Sequence, residues 1–359
     1  MIKQLLDLRP AHIQSKLGEK NTICLIGSHP IIEAFRDEKV MVMACNIRIK
    51  HAVPGIMRAA QELDAIVGFE LAKSEGGLDG GYTGMTPQMF FDMLIDYADR
   101  LNFSKPFFIH GDHITVKDTS QKQFDSARTL IDAELAAGYT SFAIDASFNE
   151  LDDNIRITTE LAKKISDMQI GLEVEVGEIK TVGQEGEITT VAEALTFVRG
   201  LKDNGINPDL LAINNGSKHG NYLPGEEVYI DLQRTGEIFR AVRPFGVCIA
   251  QHGITGTPLH LMGQFTEYGI RKGNVGTLWQ NVAHEHLPDG LMAEMKKWAK
   301  ENNRNIKEAT KAFKSQIDSI GEPYQQAIHE HAFREACEHI RAFRAVGSAT
   351  LLKRKLDVN

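Results

Sequence analysis

Eight short apolar runs, each followed by a longer amphipathic stretch, constrain the fold of this 359-residue chain more than any other feature. The runs are "KVMVMACNI" (39–47), "DAIVGFEL" (64–71), "KPFFIHGD" (105–112), "TSFAIDAS" (140–147), "IGLEVEVG" (170–177), "DLLAINNG" (209–216), "FGVCIAQH" (245–252) and "GIRKGNVG" (269–276). They are continuous more than alternating, as befits strands covered on both faces. Between them lie helical patterns such as residues 120–138, which stop at Gly138, and 150–168, for which Asn149 is the expected start. Strand and helix alternating eight times predict an α/β fold, a (β/α)8 TIM barrel. An open doubly wound sheet would carry a GxGxxG after an early strand, and "GSHP" (27–30) and "GGLDGG" (76–81) match neither that fingerprint nor a P-loop. The expectation is a single domain over 1–359, with the barrel at about 36–285 and a helical lead-in before it. A charged helical extension, about 286–350, is expected to pack on the barrel or on a partner subunit.

Composition removes several function classes. The net charge is −8 and no block of five or six like charges occurs, which argues against a nucleic-acid surface. No apolar run approaches the roughly 20 residues of a membrane span. The four cysteines form no CxxC, and three of them lie in apolar runs or a helical stretch and read as buried free thiols, which fits a reducing compartment. "MIKQLLDLRP" lacks the apolar core of a secretory signal, so a cytoplasmic location is expected.

In such barrels the chemistry sits at the C-terminal ends of the strands. The third run ends in Asp112 and His113, the fourth in Asp145 and Ser147, and the fifth in Glu173, Glu175 and Glu178. The sixth leads to Asn214, Asn215 and His219, the seventh to His252, and the eighth carries Asn274, Gly276 and Thr277. Three histidines at three strand ends suit an open zinc site, with one position left for substrate. His284/His286 and His329/His331 are HxH pairs whose members point apart along one element, so neither pair reads as a ligand set by itself. "HGNY" (219–222), "HGITGTP" (252–258) and "NVGT" (274–277) place backbone N–H groups and hydroxyls where barrels hold phosphate.

With these residues in view, the chain resembles the class II, metal-dependent ketose-bisphosphate aldolases over roughly residues 35–282. The ordered motifs "HGDH", "IDASFNELDDNI", "LEVEVGEI", "KHGNY", "AQHGITGTP" and "GIRKGNVGT" carry the resemblance. It implies one catalytic Zn²⁺ per chain held by His113, His219 and His252, with a monovalent cation as a further candidate. It implies that Asp112 handles the proton on the C4 oxygen and that Glu185, in "VGQEGE", exchanges the proton on the ketone-side carbon. Asp145 and Glu175 match acids beside the metal or at an alternate metal position. Asn46, Gly220, Gly253, Thr255, Asn274 and Thr277 match positions facing the substrate and its dihydroxyacetone-phosphate end. The implied partner is a small phosphorylated sugar, and the implied assembly is a homodimer or larger homo-oligomer. The second strand, "GFELAKSEGG", departs from the family pattern with Glu70, and Gly276 stands where an acid or another small residue is usual. For a second phosphate only Arg334, Arg341 and Arg344 offer themselves.

Other readings stay open at this point. The substrate could be a non-bisphosphate ketose or another donor, and the barrel could be a non-catalytic subunit of an aldolase complex. A metallohydrolase is disfavoured because strand one ends in "ACNIR" without an HxH. A Schiff-base aldolase would need a strand-end lysine, for which Lys272 is the candidate.

Overall fold

All eight apolar runs form strands, and in a computed structural model, which describes residues 2–179, 186–221 and 228–357, they close into a barrel. The strands are β1 (Val42–Asn46), β2 (Val67–Ala72), β3 (Phe107–Thr115), β4 (Ser141–Asp145), β5 (Leu172–Val176), β6 (Leu210–Ile213), β7 (Cys248–Gln251) and β8 (Ile270–Val275). They pair in parallel in chain order, and β1 closes the ring against β8.

Side chains alternate between the two faces of each strand. Phe142 and Ile144 of β4, Leu172, Val174 and Val176 of β5, and Leu211 and Ile213 of β6 join the main apolar cluster beneath the helices. Their neighbours Ser141, Asp145, Glu173 and Glu175 are also buried and take the inner face. This explains why the runs read as continuous and why their polar residues lie on one face.

The helix Gln121–Ala137 starts where the Ser120 side chain accepts from the Gln123 N–H, and it ends at Gly138 with φ 114°. A Cβ at Gly138 would come within 2.3 Å of the Phe91 ring, so glycine is required there. The helix Leu151–Met168 is capped at Glu150, one residue later than expected. Asn149 serves the preceding turn instead: its amide donates to Val116 O (2.8 Å) and Ala146 O (3.0 Å).

The N-terminal mouth of the barrel is plugged. Leu5, Ile31 and Phe35 of the lead-in meet Phe108 of β3 and Leu352 of the last helix in one apolar cluster. The extension lies against the barrel: its helix Glu322–Ala342 approaches the helix Val53–Glu62 so closely that a Cβ on Gly55 would sit 2.2 Å from His329 O. His51 Nε2 adds a hydrogen-bond contact to Ile317 O at 2.9 Å. The four cysteines are buried free thiols, and no helix among the described residues is long and apolar enough to cross a membrane.

β3 runs past its expected end, to Thr115, through an irregularity. Its register with β4 shifts between Gly111 and Ile114, and His113 adopts φ 41°. A left-handed non-glycine residue costs on the order of 1–2 kcal/mol, and this one breaks the strict alternation of the strand. Asp112 and His113 therefore both face the C-terminal mouth.

Candidate active site

That mouth opens into a cavity of about 690 Å³. Three imidazoles converge in it. His113 comes from the bulge of β3, His219 from the loop after β6, and His252 directly follows β7. His252 Nδ1 lies 2.8 Å from His113 Nε2, and the His219 ring stands 5.2 Å from His113 and 5.9 Å from His252, centroid to centroid. One ring nitrogen from each lies within 4.8 Å of the others, close enough to hold one ion. On its other side, His113 Nδ1 faces Glu175 Oε2 (3.2 Å) and Asp145 Oδ2 (3.5 Å), so His113 belongs to two overlapping donor sets.

The electrostatics of this centre suit a cation. Burial, reinforced by His113, pushes His219 down to about 4 and holds His252 well below the usual imidazole range, leaving both neutral with lone pairs to offer. Burial and the neighbouring Asp145 push Glu175 up to about 7. At His113 burial opposes protonation, but Asp112, Glu175 and Asp145 outweigh it and raise the imidazole well above its usual value. Crowded carboxylates that recruit a proton to an imidazole, beside two neutral imidazoles, form a donor set that fits a divalent ion such as Zn²⁺.

Asp112 Oδ1 lies 3.9 Å from His113 Nε2, and the Asp112 carboxylate is held at both oxygens. Asn46 Nδ2 donates to Oδ2 (2.9 Å) and Asn274 Nδ2 to Oδ1 (3.0 Å). Burial alone would raise its pKa, but His113, His252 and Lys272 overcome this and hold it below the usual carboxylate range. Asn46 also donates to Glu75 Oε2 (3.1 Å), and Glu75 in turn pairs with Arg48 Nε (2.8 Å).

Beneath lies a second, wholly buried charge group. Lys272 Nζ sits 2.9 Å from Glu173 Oε2 and 3.1 Å from Glu70 Oε2, and donates to Asn274 Oδ1 at 2.7 Å. One ammonium faces two carboxylates. Burial drives Glu70 well up, whereas at Glu173 Lys272, His110 and His113 together overcome burial and hold the carboxylate below its usual range. Lys272 keeps its proton because Glu173 and Glu70 overcome burial. An amine held this way is a poor Schiff-base nucleophile. Glu173 Oε1 also lies 2.8 Å from His252 Nε2, which leaves the other ring nitrogen turned to the cavity. His110 is buried inside the barrel, with Nδ1 2.8 Å from Ser141 Oγ, away from the three converging rings.

The phosphate-facing expectations fall on residues of the same cavity. Gly220, Gly253, Thr255, Asn274 and Thr277 all line it. Gly253 has φ 66°, and a Cβ there would meet the Lys218 backbone at 2.6 Å. Thr255 Oγ1 accepts from the Leu278 N–H (3.1 Å) and thereby ties the loop after β7 to the helix Thr277–Glu285. Glu185 lies outside the described residues. The described segments flanking it are tied together by Asn214, whose amide donates to Glu178 O and Glu187 O, each at 3.0 Å.

The arginine expectation is corrected. None of Arg334, Arg341 and Arg344 lines the cavity, and Arg344 instead pairs with Glu267 Oε1 at 2.7 Å on the outside. All three sit on or beyond the extension helix, which covers the flank of the barrel and not its mouth. The cavity bases are Arg48, Lys73, Lys117 and Lys307, which follow β1, β2, β3 and the extension's first helix.

Residues 28–329 match the family model described as fructose-bisphosphate aldolase class-II. The chain belongs to this family. This aldolase is a carbon–carbon lyase by family. It is 25% identical over 262 residues to the fructose-bisphosphate aldolase of Streptococcus pneumoniae, covering 71% of this chain and 80% of the relative. The Staphylococcus epidermidis fructose-bisphosphate aldolase is 30% identical over 231 residues, 62% of this chain and 70% of that one. Among solved structures, the YdjI aldolase of Escherichia coli K12 shares the fold at TM-score 0.65 and 18% identity, covering 90% of this chain and 99% of that chain. The Campylobacter jejuni fructose-bisphosphate aldolase does so at TM-score 0.65 and 15% identity, with 90% and 97% covered.

The structure also brings to the aldolase site residues that motif reading did not single out: Arg48, Glu75, Lys73 and Lys117. Arg48 carried a usable signal, since it stands two positions beyond Asn46 and so shares its face of the chain. Glu75 carried none, because its place depends on the turn after β2.

Proposed function

We propose that this aldolase cleaves a phosphorylated ketose reversibly into dihydroxyacetone phosphate and an aldehyde, with His113, His219 and His252 holding a divalent cation, zinc by preference. The observation that supports this reading is the placement of Asp112, an ionised and doubly anchored acid, against three converging imidazoles. A divalent ion bound there supplies Lewis-acid polarisation of the substrate ketone.

The chain's own groups do the rest. Asp112 accepts the proton of the C4 hydroxyl as the C3–C4 bond breaks and C4 becomes the aldehyde. The electron pair left on C3 takes a proton from Glu185, and the reverse transfers run in condensation. Asn46 and Asn274 keep the Asp112 oxygens in place for that transfer, so no reorganisation is needed at the moment of reaction. The backbone at Gly253 and Gly220, with the hydroxyls of Thr255 and Thr277, receives the C1 phosphate. Lys272, charged and buried, supports this arrangement from below through Asn274.

The test is a coupled assay of dihydroxyacetone phosphate release from fructose 1,6-bisphosphate, tagatose 1,6-bisphosphate and ketose 1-phosphates. The expected result is release that EDTA abolishes and Zn²⁺ restores. Release that persists in EDTA and is trapped by borohydride would overturn the metal reading in favour of a Schiff base. A bound ion with no release from any of these sugars would overturn the substrate class.

A further inference from the structure

The two HxH pairs that look inert along their own elements meet across elements. His286 caps the C-terminus of the helix Thr277–Glu285, and His331 lies on the extension helix Glu322–Ala342. His286 Nε2 stands 3.0 Å from His331 Nδ1. Glu285 Oε2 reaches to 3.6 Å from that same His331 nitrogen. Both imidazoles are half-buried and Glu285 is exposed, so the cluster opens to solvent on one side.

Two features distinguish this cluster from a chance pair of surface histidines. First, its geometry repeats that of the imidazoles in the barrel mouth. The rings stand 5.2 Å apart at 74°, against 5.2 Å at 80° for His113–His219 and 4.5 Å at 69° for His113–His252. Second, the outward nitrogen has an acid nearby. His331 Nε2 lies 3.7 Å from Glu335 Oε1, one helical turn on, beyond hydrogen-bond distance but close enough to favour the N–H on that side and the lone pair on Nδ1.

We propose that Glu285, His286 and His331 form a second divalent-metal site on the flank of the barrel. Two imidazoles and one carboxylate select the borderline ions, Zn²⁺, Cu²⁺ and Ni²⁺, over Mg²⁺ or Ca²⁺. Solvent supplies the remaining coordination. The ion joins the helix whose first residue, Thr277, lines the cavity to the extension helix, and so clamps the extension onto the barrel. This site is independent of the proposed chemistry in the mouth.

The experiment counts ions. Full-length protein is stripped with chelator, titrated with Zn²⁺ by calorimetry, and assayed for retained metal after desalting. Wild type is expected to bind two equivalents. His252→Ala removes the mouth site and should retain one, while His252→Ala with His331→Ala should retain none. In the His252→Ala background, Zn²⁺ should raise the melting temperature, and His331→Gln should remove that rise while leaving the zinc-free melting temperature in place. Loss of this histidine should weaken zinc binding by at least about 100-fold. Retention of zinc by the double variant, or none in His252→Ala, overturns the proposal. Two equivalents in wild type that persist in His331→Ala overturn it as well. If the reading of the mouth is wrong instead, wild type and His252→Ala bind the same single equivalent, and only His331→Ala loses it.

Discussion

Replacing Lys272 with Met should unfold this aldolase more readily than any loss of packing would explain. The substitution keeps an unbranched stem of similar size, so the cavity penalty is small. What disappears is the ammonium within 2.9 Å of Glu173 and 2.7 Å of Asn274 Oδ1. Glu173 is then a carboxylate stranded in the barrel interior among its imidazole neighbours, which either keeps its charge unpaired or takes up a proton. Breaking a buried pair by removing one partner costs about 3–5 kcal/mol. At about 1.3 °C per kcal/mol for a chain of this size, the melting temperature should fall by roughly 4–7 °C. Adding Glu173→Gln removes the stranded charge, so the double variant should recover most of that loss in a double-mutant cycle. Turnover should not recover with it, because Asn274 still lacks the lysine that steadies its hold on Asp112. Differential scanning calorimetry on the four proteins reads the first effect, and the coupled aldolase assay reads the second. A fall of under about 2 °C, or a double variant no more stable than Lys272→Met, would refute the charge argument.

Three further outcomes are expected. Asp112→Ala should retain its metal by elemental analysis while losing about 10²–10⁴ in turnover; unchanged turnover would remove Asp112 from the proton transfer. Lys73→Met with Lys117→Met should lower kcat/KM for a ketose 1,6-bisphosphate by at least about tenfold and leave a ketose 1-phosphate unaffected. Neither lysine has a carboxylate partner among the described residues, and both line the cavity across from the glycine corners, so equal losses on the two sugars would refute a role in the second phosphate. His29 is raised by its 2.6 Å hydrogen bond to Asp209, against the opposing effect of burial. A folded-state pKa above the unfolded one adds stability that is complete below about pH 6.5 and is lost as pH rises through the raised value. Chemical denaturation should therefore show His29→Gln destabilised against wild type near pH 5.5 and closer to it at pH 8.5; a pH-independent difference would refute the linkage.

Much of the barrel could be read from the chain because each strand carries its own signature: a short buried run, and polar residues at its end. The histidines at positions 113, 219 and 252 were legible for the same reason, since a closed barrel brings all strand ends to one mouth. What escaped were relations between elements. Glu70 and Lys272 each look misplaced alone, and only the closure of β1 between β2 and β8 makes them partners. His286 and His331 were set aside because HxH neighbours diverge, which is true of each pair and silent about a meeting across two helices. Asn149 had the chemistry of a helix cap, but the turn after β4 claimed its amide first. The arginines of the extension were plausible by charge and wrong by position, because nothing local reveals which flank a late helix covers.

The bulge in β3 has a consequence for tolerance. Most active-site distances are sums over packed side chains, so thermal motion and neighbouring substitutions accumulate in them. At His113 the chain turns in a left-handed step, and an acid and an imidazole that successive strand positions would send to opposite faces share one side. Their Cα atoms are joined by a single peptide unit, whose bond lengths and planarity scarcely vary, so only the torsions on either side can move one group against the other. Whatever displaces one displaces the other by nearly the same vector, so a barrel that breathes carries Asp112 and His113 along as one body.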